Sequence, residues 1–582
     1  MQCADERAGI VRDLRTGGRL RHGRVRPDPS EVVRLNWQRQ GMRLAPYPGV
    51  TRRGKALRIE DGRTFENPVL PGFHPDPSVC RVGDAFYLVT SSFEYFPGIP
   101  VFTSLNLVHW APIGHVLDRA GQLDLRGART SGGIYAPTIR WHGGMFFVTA
   151  TNVSAGGHFI VHGEDPRGPW SDPVWVDQDG IDPSLFFEGD TVYFTSNVEA
   201  DVAGPHVTDA EFERGIQQCL INPITGKRLS PTRFIWGGTG GKFPEAPHLY
   251  RRGGFYYLVI AEGGTEYGHF GSVARSRSPW GPFEPSPYNP LLSHSGSPNP
   301  VQAVGHADLV ELDGDEWWLV CLGIRPRGNW YHHNLGRETF LAPVTWTSDG
   351  WPTVRHAQVQ MREQRPRRLP SASPLPSPAT HHEWNTVRTP LDPVVFSRRP
   401  NWLSLTGRPA TLDELHPSFL GRRQQHSDFS SSAGVDFDPQ EVGDEAGLVV
   451  RMSESHHFEI AVVRRGNTRV LMTRLRVGSI VQETVHGSIP DGLVTMHIDC
   501  VDDSYTLGAA TLDGPVRVTG DAVLLSSEVA GGFTGVYIGI YCTSQTDGRA
   551  TIAYFRDFKY YEMPRLPVTE EWGLDEPERK EV

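Results

Sequence analysis

The chain has 582 residues, of which 38% are hydrophobic and 10% aromatic, enough apolar material for two or more folded domains. Its 57 lysine and arginine residues are outnumbered by 67 aspartate and glutamate residues, which gives a net charge of -10. The sequence contains no long basic stripe. This charge balance argues against a nucleic acid or an anionic membrane surface as the partner.

The first segment, residues 1–64, is rich in arginine and has no apolar core of the kind that a secretion signal carries. We predict a poorly ordered extension here and, without a standard signal, a cytoplasmic protein. No apolar stretch in the sequence approaches the ~20 residues of a membrane-spanning helix.

A short motif recurs five times in the next part of the chain: a small or acidic residue, usually followed by proline, opens an apolar run that turns into an aromatic-rich strand. The copies begin at residues 74, 135, 181, 245 and 306. Their spacing of roughly 45 to 65 residues is typical of four-stranded propeller blades. We therefore predict a five-bladed β-propeller over residues 65–366, in which the proline marks the start of an equivalent strand.

A segment rich in proline and serine, residues 367–383, predicts an extended linker. Alternating apolar and polar residues then indicate antiparallel strands, for example at 447–452, 458–463 and 535–541. We predict a β-sandwich of jelly-roll type over residues 384–565 and a tail over 566–582. With almost no helix signals, the whole chain is predicted to be all-β.

Six cysteines are scattered along the chain without the spacing of a metal site, and several lie inside apolar strands. We expect most of them to be reduced core residues. They are Cys3, Cys80, Cys219, Cys321, Cys500 and Cys542.

Three carboxylates stand at equivalent positions of the repeat, at the predicted strand starts: Asp76, Asp182 and Glu245. Acidic residues often only cap turns at such positions. However, the repeat keeps the position while the residue differs between blades, and the inner strands of a propeller converge on its central channel. We therefore predict a catalytic set in which Asp76 holds a water for attack, Glu245 protonates a leaving oxygen and Asp182 lies between them and raises the pKa of the acid.

Eight motifs in the chain resemble those of glycoside hydrolase family 43, most closely its β-xylosidase and α-L-arabinofuranosidase members with a C-terminal concanavalin A-like sandwich. Six lie in the predicted propeller, at residues 67–78, 91–98, 180–184, 244–248, 305–308 and 335–339. Two lie in the predicted sandwich, at residues 422–426 and 531–535. The resemblance implies Asp76 as general base, Glu245 as general acid and Asp182 as pKa modulator.

The same resemblance implies five substrate-binding residues. Phe93 would form an apolar wall, Arg337 would meet Asp182 and sugar hydroxyls, and His306 would orient a carboxylate or coordinate a water or calcium ion. Phe533 would reach across from the sandwich to close the pocket. Tyr135 departs from the family pattern, because the β-xylosidases commonly carry tryptophan there, and the sugar preference is open at this point.

A pocket closed at one end binds chain termini, so the resemblance implies an exo-acting, inverting enzyme with its catalytic carboxyls roughly 6.5 to 9.5 Å apart. The leading hypothesis is a β-1,4-xylosidase that acts on xylo-oligosaccharides. An α-L-arabinofuranosidase or a dual-specificity enzyme on arabinoxylan fragments is the alternative. A propeller that binds carbohydrate without cleaving it is a remote third hypothesis. We expect no required cofactor and no catalytic metal, although structural calcium and a homo-oligomer are possible.

Overall fold

The computed structural model describes residues 63–199, 214–328, 331–371, 381–390, 399–545 and 551–563. Residues 1–62 of the predicted extension, the predicted tail 566–582, residues 372–380 of the predicted linker and Cys3 lie outside the described residues. The five other cysteines are reduced and buried. No helix among the described residues is long and apolar enough to span a bilayer.

Among the described residues, four antiparallel sheets of four strands and one of five follow one another along the chain, and they confirm the predicted five-bladed propeller. The strands of the first two blades are Ser78–Val82, Ala85–Val89, Gly98–Ser104 and Ala111–Leu117, then Thr138–His142, Met145–Asn152, Gly157–Gly163 and Val174–Val176. Those of the third and fourth are Ser184–Glu188, Thr191–Glu199, Arg214–Leu220 and Arg233–Trp236, then Glu245–Arg252, Phe255–Glu262, Phe270–Ser276 and Glu284–Pro285, with Leu292–Ser293 beside them. Those of the fifth are Gln302–Leu312, Glu316–Ile324, Glu338–Trp346 and Pro352–Val354.

The two ends of the propeller are joined by a short sheet in which Thr64–Glu66 pairs with Arg362–Gln364. A short 3-10 turn, Arg355–Ala357, precedes the second of these strands. In each of the first three blades the inner strand begins directly after a proline of the repeated motif. These strands start at Ser78, Thr138 and Ser184. Proline has no backbone N–H. It fits this position because the residue before the strand does not need to donate a hydrogen bond to the neighbouring strand.

Asp308, on the inner strand of the fifth blade, binds groups from three other blades at the propeller axis. One of its carboxylate oxygens accepts hydrogen bonds from Ser78 Oγ (2.6 Å), Val79 N (3.0 Å) and Arg140 Nη1 (2.8 Å). The other accepts from Arg140 Nη2 (3.0 Å) and Tyr250 Oη (2.5 Å). Although burial acts to raise the pKa of Asp308, Arg140 and these bonds outweigh it and hold the pKa well below its usual range.

Replacing Asp308 by asparagine should therefore destabilise the propeller. Removing one partner of a buried ion pair leaves an uncompensated charge, here on Arg140, and typically costs about 3–5 kcal/mol. Thermal unfolding followed by circular dichroism checks this. Asp313→Asn is the matched control, because Asp313 forms an exposed ion pair with Arg81 on the same propeller and exposed pairs add little stability. Equal unfolding temperatures for the two variants would contradict the assignment of Asp308 as the inter-blade anchor.

Two six-stranded antiparallel sheets confirm the predicted C-terminal sandwich. One contains, in spatial order, Trp402–Thr406, Ile552–Glu562, Phe429–Asp436, Leu493–Val501, Ser504–Thr511 and Gly514–Asp521. The other contains Phe419–Arg423, Tyr537–Thr543, Glu445–Ser453, His456–Arg465, Thr468–Val477 and Ile480–Ser488. A 3-10 turn, Ala522–Leu525, and a one-turn helix, Ser527–Ala530, precede the segment that carries Phe533.

The sandwich packs directly on the propeller through a shared apolar cluster. The rings of Tyr95, from the propeller, and Tyr537, from the sandwich, stack with centroids 4.0 Å apart. Phe73 and Phe93 of the propeller lie in the same cluster as Val449 of the sandwich. The short strand Thr386–Val387 also pairs with Tyr95–Phe96 of the first blade. These contacts fix one edge of the sandwich beside the propeller axis.

Candidate active site

A single pocket brings together all eight residues that the sequence singled out. It holds about 510 Å³ of space free of protein atoms, a volume that includes the open solvent at its mouth. Its predicted members are Asp76, Phe93, Tyr135, Asp182, Glu245, His306, Arg337 and Phe533. The remaining lining residues are Ala136, Ile181, Thr265, His269 and Leu322.

Asp76 is 4% exposed and its two carboxylate oxygens have different partners. Oδ2 accepts a hydrogen bond from Ser91 Oγ (2.6 Å), and Oδ1 accepts one from Arg337 Nη1 (2.7 Å). Burial acts to raise the pKa of Asp76, but the charge of Arg337 and the Ser91 bond contribute to a net pKa below the ordinary value. This carboxyl is therefore ionised at neutral pH, as a base must be.

Asp182 has the opposite electrostatic character. Burial first, and then the charges of Glu245 and Asp76, raise the pKa of Asp182 well above its ordinary value. A hydrogen bond that the Ala246 N–H donates to Asp182 Oδ2 (3.2 Å) offsets only part of this. Because like charges at close range cannot all ionise, this part of the pocket retains a proton at a pH where Asp76 has lost its own.

Glu245 does not occupy the position equivalent to Asp76 and Asp182, which corrects the prediction that all three acids stand at equivalent repeat positions. Ala246 occupies it, with the same left-handed backbone: φ is +54° at both aspartates and +50° at Ala246. Glu245 precedes it by one residue, where the register of the strand shifts between Glu245 and His248. Such a bulge redirects a side chain, and Glu245 is the half-buried member of the three acids.

Arg337 forms its ion pair with Asp76, whereas the sequence predicted a contact with Asp182. The reason is the closure of the ring, which sets the fifth blade beside the first: the His74 N–H donates to the Arg337 carbonyl (3.0 Å). The guanidinium carbon also lies 5.7 Å from the ring centroid of Phe93 and 5.9 Å from that of Phe533. Arg337 is 7% exposed, so this is not an exposed surface pair.

His306 lies on the other side of the base, with Nδ1 3.7 Å from Asp76 Oδ1. Burial is the largest cause that lowers the pKa of His306, so its imidazole is neutral at pH 7 and Arg337 supplies the positive charge. Burial likewise lowers the pKa of His269 to about 4. Within the described residues no group of three His, Cys, Asp or Glu side chains is arranged to hold a metal ion.

Three aromatic rings form the apolar wall of the pocket. Phe93 lies 5.0 Å from Tyr135 and 6.2 Å from Phe533, measured between ring centroids. Tyr135 and Phe533 meet edge to face at 6.3 Å. Phe533 comes from the sandwich and is 40% exposed, so the second domain supplies one side of the pocket.

Sequence reasoning missed Thr265 and His269, which line the pocket from the turn between the second and third strands of the fourth blade. Neither lies in the repeated motif that marks the inner strands. Ile181 lies inside the motif at residues 180–184, directly before Asp182, and it also lines the pocket. Only the proximity of turn and channel in the folded propeller connects Thr265 and His269 with the acids.

Known proteins are similar to this chain over both of its domains. The profile of glycosyl hydrolases family 43 matches residues 65–352, and that of the beta-xylosidase C-terminal concanavalin A-like domain matches residues 376–561. The non-reducing end alpha-L-arabinofuranosidase of Bacteroides ovatus is 42% identical over 86% of this chain and 95% of its own length. A xylosidase/arabinosidase of Butyrivibrio fibrisolvens is 37% identical over 85% of this chain and 98% of its own.

Among solved structures, the xylan beta-1,4-xylosidase from Bacillus halodurans superposes with a TM-score of 0.79 at 33% identity and covers 86% of this chain and 100% of its own. The match therefore includes both the propeller with its acidic pocket and the sandwich that supplies Phe533. The chain belongs to glycoside hydrolase family 43 and is a glycoside hydrolase.

Proposed function

We propose that the protein is an exo-acting, inverting hydrolase that removes a terminal pentose from xylan-derived oligosaccharides. The observation that carries this proposal is the electrostatic contrast within one pocket. Asp76 has a lowered pKa and pairs with Arg337, whereas Asp182 has a raised pKa and faces Glu245. Glycoside cleavage needs one ionised carboxyl as the base and one protonated carboxyl as the acid, and we propose that the proton retained where Asp182 and Glu245 meet serves the second role through Glu245.

In the proposed reaction, ionised Asp76 takes a proton from a water as that water attacks the anomeric carbon. Glu245 gives a proton to the departing glycosidic oxygen, and Asp182 orients this acid and favours its protonated form. The glycosidic bond breaks as the bond to the water oxygen forms, so the configuration inverts and no sugar–enzyme bond is made. The acid and the base are both carboxyls, so the step requires no cofactor.

Exo action follows from the aromatic wall. The rings of Phe93, Tyr135 and Phe533 supply apolar faces on which a sugar ring can pack, while Arg337 and the acids bind hydroxyls. Phe533 reaches the pocket from the sandwich, and we propose that its ring closes one end of the pocket, so that about one terminal residue fits. The substrate is a carbohydrate, as the family indicates, and we propose xylo-oligosaccharides or arabinoxylan fragments.

We propose that α-L-arabinofuranosides and β-D-xylosides are both substrates and that the arabinofuranoside is cleaved faster. The sequence alone favoured the xyloside. The relative at 42% identity is named an arabinofuranosidase, and Tyr135 replaces the tryptophan common in β-xylosidases, which changes the ring on the pocket wall. The Bacillus halodurans enzyme, named a xylosidase, supports β-xylosidase activity as the second candidate.

Initial rates on p-nitrophenyl α-L-arabinofuranoside and p-nitrophenyl β-D-xylopyranoside test this directly, with Asp76→Ala as the blank. We expect turnover of both, with the larger kcat/KM for the arabinofuranoside. A dominant xyloside rate would reverse the order of the two candidates. Sugar binding without turnover of either substrate would instead support a non-catalytic carbohydrate-binding propeller.

Replacing Arg337 by glutamine should move the acidic limb of the kcat/KM profile to higher pH. The base works only when Asp76 is ionised, and the Arg337 charge lowers the pKa of Asp76. Loss of a neighbouring opposite charge raises a carboxyl pKa by about 1–3 units. Activity at low pH should therefore fall more than activity at neutral pH. A profile of unchanged shape would contradict the assignment of Asp76 as the base.

A further inference from the structure

Ser131 lies behind the aromatic wall, in the connection between the first and second blades. It is 5% exposed, and its φ of +57° is in the left-handed region that serine rarely adopts. Such a conformation is strained and persists where surrounding contacts enforce it, often at functional sites. In Ser131 these contacts include hydrogen bonds to two residues that line the pocket, Tyr135 and Phe533.

All the hydrogen-bonding groups of Ser131 are used. Its N–H donates to Glu94 Oε2 (3.1 Å), a carboxylate that is fully buried. Its carbonyl accepts from Tyr135 Oη (3.0 Å), and its Oγ accepts from the backbone N–H of Phe533 (2.9 Å). One strained residue therefore binds the hydroxyl of Tyr135 from the propeller and the backbone N–H of Phe533 from the sandwich.

Phe533 has few other polar restraints. It follows two glycines, Gly531 and Gly532, whose φ values are +73° and +85°. Apart from the Ser131 bond, its backbone is contacted at the carbonyl by Arg337 Nη2, at 3.4 Å. A Cβ atom on Gly532 would lie 2.5 Å from Ser131 Oγ, so the glycine permits the close approach. The hydroxyl of Ser131 therefore holds the backbone of this loop at Phe533.

The bond is not needed to dock the two domains. The apolar cluster around Tyr95 and Tyr537 already joins them. A second group adds to it: the Arg388 N–H of the sandwich donates to the Glu94 carbonyl of the propeller (2.8 Å), and Glu454 Oε2 of the sandwich accepts from the Thr130 hydroxyl of the propeller. Loss of one hydroxyl should therefore leave the interface intact and change only the loop that it holds.

We propose that Ser131 is a positioning residue that fixes Phe533 against Tyr135 and so sets the shape of the closed end of the sugar pocket. This inference rests on the proposed function, because it concerns the fit of the terminal pentose. Ser131 contacts no reacting atom and acts through Phe533. Its effect should appear in substrate binding more than in the chemical step.

A double-mutant cycle on Ser131→Gly and Phe533→Ala tests the proposal, run on whichever aryl pentoside the wild-type protein cleaves faster. Glycine removes the hydroxyl and tolerates the left-handed backbone, so this variant should fold, with an unfolding temperature close to that of the wild type. We expect Ser131→Gly to raise KM about 3- to 10-fold with little change in kcat, the range that one hydrogen bond provides. In the Phe533→Ala background it should have no further effect.

Ser154→Ala is the matched control. The Ser154 hydroxyl also accepts a backbone N–H in this region, that of Gly133 at 2.9 Å, but it does not contact Phe533. Its KM should stay at the wild-type value. The proposal is overturned by an unchanged KM in Ser131→Gly, by an equal effect of Ser131→Gly with and without Phe533, or by an unchanged KM in Phe533→Ala. A wild-type protein inactive on both pentosides would overturn the proposed function itself, and this inference with it.

Discussion

Replacing Asp76 by alanine is expected to lower kcat/KM on the faster aryl pentoside by about 10²- to 10⁴-fold, the usual contribution of a general base. Asp76 is the acid with the lowered pKa, held ionised chiefly by Arg337 against the effect of burial. Without it, no ionised carboxyl of this character remains in the pocket to take the proton of the attacking water. The loss should be the same for good and poor leaving groups.

Two further variants make this result specific. Asp76→Asn keeps the shape of the side chain and should lose as much activity as Asp76→Ala. Asp177→Ala removes an aspartate whose side chain is 97% exposed and which pairs with Arg228 at the surface, and it should behave as the wild type. Activity of more than about a tenth of the wild-type value in both Asp76 variants would be inconsistent with the proposed base.

Replacing Glu245 by glutamine should produce a loss that depends on the leaving group. On xylobiose or an arabinosyl oligosaccharide, whose departing oxygen must be protonated, we expect kcat to fall by about 10²- to 10⁴-fold. On a 2,4-dinitrophenyl pentoside the departing phenolate is stable without a proton, and the loss should be much smaller. Kinetics on this pair of substrates therefore separate a general acid from a residue that only binds the sugar.

Asp76→Ala is the control for this comparison, because a missing base slows both substrates alike. An equal loss on the two leaving groups in Glu245→Gln would exclude Glu245 as the acid. A larger loss on the dinitrophenyl substrate than on the oligosaccharide would be equally incompatible with it.

Much of the architecture could be predicted because each blade repeats the same local chemistry. A proline or small residue opens the inner strand, and an aromatic-rich strand pairs with it, as when Ser78 pairs with Val89 and Ser184 with Thr195. The sandwich could be predicted for a different reason: its strands alternate apolar and polar residues. Both domains confirm the all-β prediction.

The acids were found because they interrupt that repeat, but the repeat could not give their exact geometry. Glu245 stands one residue further from its proline than Asp76 and Asp182 do from theirs, and its strand has a bulge there that is set by pairing with the neighbouring strand. Arg337 pairs with Asp76 because ring closure sets the last blade against the first. Both depend on contacts between segments far apart in the chain.

Ser131 and Thr265 gave no signal at all in the sequence. Each lies in a loop whose residues are ordinary for a turn, and each becomes part of the site only when loops from different blades and the sandwich meet at the channel. The left-handed backbone of Ser131 is visible only in the folded chain.

The central claim is a single displacement in which Asp76 and Glu245 act from opposite sides of a terminal pentose. Proton NMR of the first-formed sugar, recorded before mutarotation, tests it most directly. We expect α-xylopyranose from a β-xyloside, or β-arabinofuranose from an α-L-arabinofuranoside, with no product in Asp76→Ala. A first product that retains the anomeric configuration of the substrate would contradict the account, because retention requires a covalent intermediate on a carboxylate.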